Sequence, residues 1–366
     1  MSSFVSRISR RTFLETSIAA TAAAALPTFP FVSLAAAQPR RIIIDADTGV
    51  DDAIAILLAL RSPELKVEAF TAVSGNVPLA LTLPNTLRMV EVAGRTDIPV
   101  AAGAATPLVR RLVTANYVHG NNGLGGADFP EPKLKPVAEP ASEVIRRLVQ
   151  DNPDEVTIVA IGPLTNVALA LKSDATVGKK IKEILMMGGS LTHGNVTPCA
   201  EFNFYVDPEA ARVVFDSGVP LTMVGLDVTE RVRIGKEQIA VLEAAKNAVS
   251  QVAAKILRST IEHLGQGRGI VQGKMAMHDP LTVAHLLDPS ILTLKEYYVQ
   301  IETMGELSAG ESVGYEAAPV RFSPPMDTGL ATDAPRIDFK ANTQVAVDVD
   351  SEKFFKLLLS RLTATN

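Results

Sequence analysis

The sequence predicts an α/β fold: a single domain with a mostly parallel central sheet flanked by helices, plus helical additions late in the chain. Apolar runs of strand length alternate with stretches of helical periodicity. Those runs are nearly continuous rather than alternating, as expected of strands covered by helices on both faces. No repeat period or low-complexity linker divides residues 38–366, which argues for one domain.

In chain order, the apolar residues 42–45 predict a strand, Gly49 a tight turn and residues 51–60 a helix. A second strand is expected over 66–74 and a helix over 81–93. Strand 156–161 then precedes helix 163–171, and strands 181–187 and 221–226 enclose a helix over 208–216. After Gly235 the pattern changes to one long helical run, 236–264, followed by a short helix opening at Pro280. Strands 296–302 and 343–349 and a closing helix over 351–362 complete the reading.

Composition narrows the function. The 366 residues are 47% hydrophobic and 20% charged, enough for a large core. Thirty-five Lys and Arg against 40 Asp and Glu give a formal charge of -5, so no basic field exists to attract nucleic acid. Cys199 is the sole cysteine, which rules out intramolecular disulfides and zinc sites built on paired cysteines. There is no tryptophan, leaving 13 Phe and 5 Tyr for any stacking role.

Residues 1–37 read as an address. Ser9-Arg10-Arg11-Thr12-Phe13-Leu14 precedes an alanine-rich apolar stretch that ends in Ala35-Ala36-Ala37-Gln38. The segment resembles a twin-arginine export signal, which implies the twin-arginine machinery as a partner, cleavage after Ala37 and a periplasmic destination. The segment holds three Arg and one Glu, so its removal takes the formal charge from -5 to -7.

Asp45, Asp47, Asp51 and Asp52 fall within eight residues, where the first strand ends and the next helix begins. Open α/β sheets bind ligands at such a place. A helix start favours one or two acidic residues through its free N–H groups. Four like charges need more: a cation to neutralise them, with hard oxygen ligands suiting Ca²⁺ or Mg²⁺.

The segment Asp45-Ala46-Asp47-Thr48-Gly49-Val50-Asp51-Asp52 resembles the signature of the inosine-uridine preferring nucleoside hydrolases. Further motifs follow in family order: Val73-Ser74-Gly75-Asn76, Val118-His119-Gly120, Gly162-Pro163-Leu164-Thr165-Asn166, Met186-Met187-Gly188-Gly189, Gly194-Asn195, Ala200-Glu201-Phe202-Asn203, Val206-Asp207-Pro208-Glu209-Ala210 and Met277-His278-Asp279-Pro280. The resemblance covers residues 41 to about 360. One departure is Thr48, where many relatives have proline; it should cost rigidity in the turn.

The resemblance implies a Rossmann-like fold and Ca²⁺-dependent hydrolysis of the N-glycosidic bond of ribonucleosides to free base and ribose. It implies Asp47, Asp52, Asp279 and the backbone carbonyl of Ile161 as calcium ligands, and Asp51 as the base that takes a proton from the attacking water. Asn76, Met187, Asn195, Glu201 and Asn203 would hold the ribose, His119 would sit in a loop over the base, and His278 would donate a proton to the departing base. A homo-oligomer, dimer or tetramer, is implied as well. Two alternatives remain at this point: a ribose or nucleoside binding protein without turnover, and a hydrolase of another N-riboside such as nicotinamide riboside.

Among the residues themselves, Glu201 and Asn203 alternate around Phe202, so an extended chain would place both polar groups on one face and the aromatic on the other. His193, His263 and His285 read as surface or core residues and Cys199 as a small filler. The five histidines form no zinc-protease pattern, and Gly188 to Gly194 lacks the Lys and Ser/Thr of a P-loop. With no Trp to stack a purine, and with His278 available as an acid, broad or pyrimidine-tolerant specificity is expected.

Overall fold

A computed structural model describes residues 38–264, 269–316 and 340–365. The address segment 1–37 lies outside the described residues. Nine strands form the main sheet: β1 (Arg40–Ala46), β2 (Leu65–Ala72), β3 (Val100–Ala102), β4 (Thr157–Ala160), β5 (Glu183–Met187), β6 (Leu221–Val224) and, later in the chain, Leu292–Ile301, Ser312–Glu316 and Thr343–Val349. Three short strands between them, β7 (Arg233–Ile234), β8 (Ile270–Val271) and β9 (Lys274–Ala276), make a separate antiparallel sheet, so the later three are β10, β11 and β12.

The main sheet runs β11-β10-β12-β6-β5-β4-β1-β2-β3. Every neighbouring pair from β12 to β3 is parallel, and β10 is antiparallel to both β12 and β11. Successive side chains enter two different cores, which is why the strands read as unbroken apolar runs. Ile42 and Ile44 pack on one face and Ile43 on the other, all fully buried. Leu185 and Met186 divide in the same way on β5. Each such side chain contributes about 1.5–3 kcal/mol by leaving water.

The chain goes from β1 outward to β2 and β3, then returns to place β4 on the other flank of β1. Strand order therefore reverses between β1 and β4. Their carboxyl ends diverge into different connections and leave a crevice there. This single topological feature positions the site.

The elements depart from the sequence reading where local signals are short. Residues 236–264 form two helices, Lys236–Ala244 and Ala248–Leu264. Ala245 is extended, and Asn247 Oδ1 accepts the Ser250 N–H at 2.9 Å, capping the second helix. The helix expected at Pro280 opens two residues earlier, as His278–Leu287. The strands β3, β7, β8, β9 and β11 and the helix Ala141–Asp151 were not expected.

Candidate active site

β1 delivers the acidic segment to the crevice, and its four carboxylates then take different roles. Asp45 remains in the sheet: its Oδ1 accepts from Thr71 of β2 and, at 2.8 Å, from Asn166 Nδ2 on the helix Thr165–Ser173. It ties three elements together behind the cavity rather than lining it. Burial raises its pKa to about 7 against the two hydrogen bonds.

Asp47 and Asp52 are fully buried and share Asn76 as a partner. The Asn76 backbone N–H donates to Asp47 Oδ2 at 2.6 Å, and its side-chain amide donates to Asp52 Oδ2 at 2.9 Å. Asp52 Oδ2 also accepts the Gly49 N–H at 2.9 Å, which caps the helix Val50–Leu60. The other oxygen of each acid, Asp47 Oδ1 and Asp52 Oδ1, is buried without a hydrogen-bond partner. Two glycines allow this closeness. A Cβ on Gly75 would lie 2.1 Å from Asp47 Oδ2, and one on Gly49 would lie 2.4 Å from His119 Nδ1. Thr48 holds the turn by a route that proline lacks, a 2.7 Å hydroxyl contact with Thr86, so the expected loss of rigidity is offset.

Asp51, one residue before Asp52 on the same helix, and Asp279, on the first turn of His278–Leu287, face each other across the crevice. Ligand oxygens of Asp51, Asp52 and Asp279 all lie within 4.8 Å of one another. Burial raises the pKa of all of them, against hydrogen bonds in the case of Asp52, and neighbouring negative charge adds to the rise at Asp51, Asp279 and Asp47. Asp51 is pushed to about 7 with Asp52 the main neighbour, Asp279 stands well above the usual carboxylate range beside Asp51, Asp52 and Asp47, and Asp47 does so beside Asp52. Buried anions with orphaned oxygens are costly unless a cation compensates them. An all-oxygen donor set without thiol or imidazole fits a hard divalent cation.

Glu201 and Asn203 form the opposite wall, with a local geometry unlike the extended one expected. Glu201 is the N-cap of a short helix, Phe202–Val206, and accepts the N–H groups of Asn203 and Phe204. It also accepts the Gly189 N–H at 2.9 Å. Burial nevertheless raises its pKa to about 7. A helical turn does not separate alternate residues as a strand does, so Phe202 shares the cavity with Glu201 and Asn203. Asn203 Nδ2 donates to the carbonyls of Ile161, just past β4, and Met187, at the end of β5, at 3.3 and 3.2 Å.

These groups surround a cavity of about 350 Å³, lined by Asp51, Asn76, His119, Ile161, Met187, Asn195, Glu201, Asn203, His278 and Asp279. Asp47 and Asp52 stand behind its wall. His119 Nδ1 accepts the Val50 N–H at 3.1 Å, so the proton of the neutral ring resides on Nε2. Its pKa falls to about 3 through burial and then the charge of His278. His278 Nδ1 meets the Thr229 hydroxyl at 2.8 Å, and burial lowers its pKa to about 4. Both imidazoles are therefore neutral near pH 7.

Sequence reasoning missed the remaining wall. Glu230, Arg233, Val271, Met275 and Ala276 come from the three-stranded sheet and the turn before it. Strands of two or three residues are too short to show a periodicity, and no local motif joins them.

The fold and site define a member of a known hydrolase class. The sequence model of the family described as inosine-uridine preferring nucleoside hydrolase matches residues 42–356, and that of the twin-arginine translocation signal matches residues 7–27. The chain belongs to the inosine-uridine preferring nucleoside hydrolase family, and it is an enzyme of the ribonucleoside hydrolase class. It is 43% identical over 321 residues to the pyrimidine-specific ribonucleoside hydrolase RihA of Citrobacter koseri, covering 88% of this chain and 97% of that one. Among solved structures it resembles the plant nucleoside hydrolase PpNRh1, with a TM-score of 0.79 at 34% identity, over 89% of this chain and all of that one. A purine-preferring ribonucleoside hydrolase from Gardnerella vaginalis superposes with a TM-score of 0.77 at 30% identity, over 88% of this chain and 98% of that one.

Proposed function

We propose that the protein is a calcium-dependent hydrolase that cleaves pyrimidine ribonucleosides to free base and ribose. One observation carries the reading: a carboxylate poised near neutral pH, Asp51, shares a cavity with a ring of amide and carboxylate groups suited to sugar hydroxyls, and behind the wall Asp47 and Asp52 each bury one oxygen without a partner. The likeness to a pyrimidine-specific relative at 43% identity supports the choice of base.

Asp47, Asp52, Asp279 and the carbonyl of Ile161 would hold the cation. When bound, calcium would fix ribose hydroxyls and favour ionisation of a water. The protein's own groups then divide the work. Asp51 accepts the proton of the attacking water, which needs a base with a pKa near the working pH. Asn76, Met187, Asn195, Glu201 and Asn203 orient the ribose, since amides and carboxylates satisfy hydroxyl donors and acceptors together. Neutral His119 would offer an Nε2–H donor, and His278, held by Thr229 and neutral near pH 7, would have to gain a proton in the substrate complex before handing it to the departing base.

Purified protein incubated with uridine, cytidine, inosine, adenosine and nicotinamide riboside tests this, scored by chromatography for free base. Uridine and cytidine should be cleaved fastest. Faster cleavage of the purine nucleosides or of nicotinamide riboside overturns the pyrimidine reading, and release of no base at all overturns the hydrolase reading.

Residues 1–37 would serve as the twin-arginine leader for the domain of residues 38–366, read by the export machinery and removed after Ala37 to leave the enzyme in the periplasm. Mass analysis of secreted protein beginning at Gln38 would support this; an intact amino terminus contradicts it. Assembly as a dimer or tetramer is proposed too. Val109 and Met304 are 75% and 88% exposed, and Arg110 Nη2 joins their loops by donating to Thr303 O. Light scattering of a monomer would overturn that assignment.

A further inference from the structure

Arg233 starts β7 and pairs with Ala276 of β9, two residues before His278. Backbone pairing therefore fixes the guanidinium beside the histidine end of the cavity, which Arg233 and Glu230 both line. Its Nη2 lies 4.0 Å from Glu230 Oε2, an oxygen that also meets His193 Nε2 at 3.3 Å. Its Nη1 is buried with no hydrogen-bond partner. A buried donor on a permanently charged group is expensive to leave unpaired, and Glu230 stands only at ion-pair distance from the other terminal nitrogen. The neighbouring wall is apolar, formed by Val271, Met275 and Ala276, and suits the faces of a flat ring.

We propose that Arg233 is a base-binding residue that donates from its guanidinium to a ring carbonyl oxygen of the departing pyrimidine. Uracil and cytosine carry a carbonyl next to the ring nitrogen that leaves ribose, and negative charge grows on that oxygen as the N-glycosidic bond lengthens. A fixed cation there strengthens its contact between ground state and transition state, so it lowers the barrier as well as favouring binding. No covalent bond forms to the arginine, and the proton that the base finally takes comes from elsewhere. Glu230 acts as a positioning residue, bridging Arg233 to His193 on the loop that carries Asn195. This inference rests on the nucleoside hydrolase reading and names the base contact within it.

The test compares wild type with Arg233→Gln and Arg233→Lys on uridine and on 4-nitrophenyl riboside, whose leaving group has no ring carbonyl and needs no activation. Loss of a hydrogen bond from a charged group costs roughly 10- to 100-fold. Arg233→Gln should lose that much in kcat/KM on uridine, with part of it in kcat, while staying within about threefold of wild type on 4-nitrophenyl riboside. Arg233→Lys should recover part of the uridine loss, since it restores the charge without the fork. Equal losses on both substrates, or no loss on uridine, overturn the assignment. If wild type cleaves 4-nitrophenyl riboside but Arg233→Gln is inactive on both because it fails to fold, Arg233→Lys decides by the same ratio. A wild type that cleaves neither substrate overturns both this assignment and the hydrolase reading.

Discussion

Asn76 joins Asp47 to Asp52 through its backbone N–H and its side-chain amide, so it fixes the two oxygens that face away from the unpartnered ones. Groups that orient metal ligands in this way change affinity by about 10- to 100-fold when removed. Asn76→Ala should weaken calcium binding by that factor in titration calorimetry, and unchanged affinity would contradict the bracing role. The acids themselves were legible in the sequence, because four carboxylates within eight residues have no common structural explanation. Their division of labour was not legible. That Asp45 turns to Thr71 and Asn166 depends on which strands flank β1, a fact of topology. Glu201 was identified as a site residue, yet its role as a helix cap was missed because two residues of alternation cannot distinguish a strand from a helix start.

At the scale of elements, the start of the helix Val50–Leu60 carries the tightest requirement. Gly49 has φ near -100°, which any residue can adopt, so its demand is for space rather than backbone freedom. An added methyl would press on His119 Nδ1 and Asn76 Nδ2, at 2.4 and 2.7 Å. Gly49→Ala should fold, yet lose at least about tenfold in kcat on uridine as His119 and Asn76 are displaced. Wild-type kcat in that variant would show that the loop yields freely. The long elements were readable because their periodicity extends over many residues; β12, at Thr343–Val349, matches its expected bounds. The break at 245–247 carried a signal in Asn247, a preferred cap, that the surrounding helical pattern masked. The sheet β7-β9-β8 carried none, and with it went the cavity wall formed by Arg233, Val271, Met275 and Ala276.

At the scale of the whole molecule, the acid cluster links metal, pH and stability. Without a cation, Asp47, Asp51, Asp52 and Asp279 have folded-state pKa values above their ordinary ones, so the native state binds more protons than the unfolded state above about pH 4. Stability then falls as pH rises through the window from about 4 to 7. The proposed calcium would need the acids deprotonated, so its stabilisation should grow over the same window. The melting temperature of chelated protein should therefore drop between pH 5 and 7, and the difference between calcium-loaded and chelated protein should widen. Equal melting of chelated protein at both pH values would contradict the electrostatic account of the cluster.

The central claim is that Asp51 is the base and its neighbours hold the cation, and one variant separates the two. Asp51→Asn removes the proton acceptor while leaving Asp47, Asp52, Asp279 and the Ile161 carbonyl in place. The measurement is kcat on uridine at saturating calcium, with calcium affinity determined on the same sample. Loss of a general base costs about 10²- to 10⁴-fold. The account predicts a kcat reduced by that factor with calcium affinity within a few-fold of wild type. A kcat near the wild-type value, in protein that still binds calcium, would contradict it.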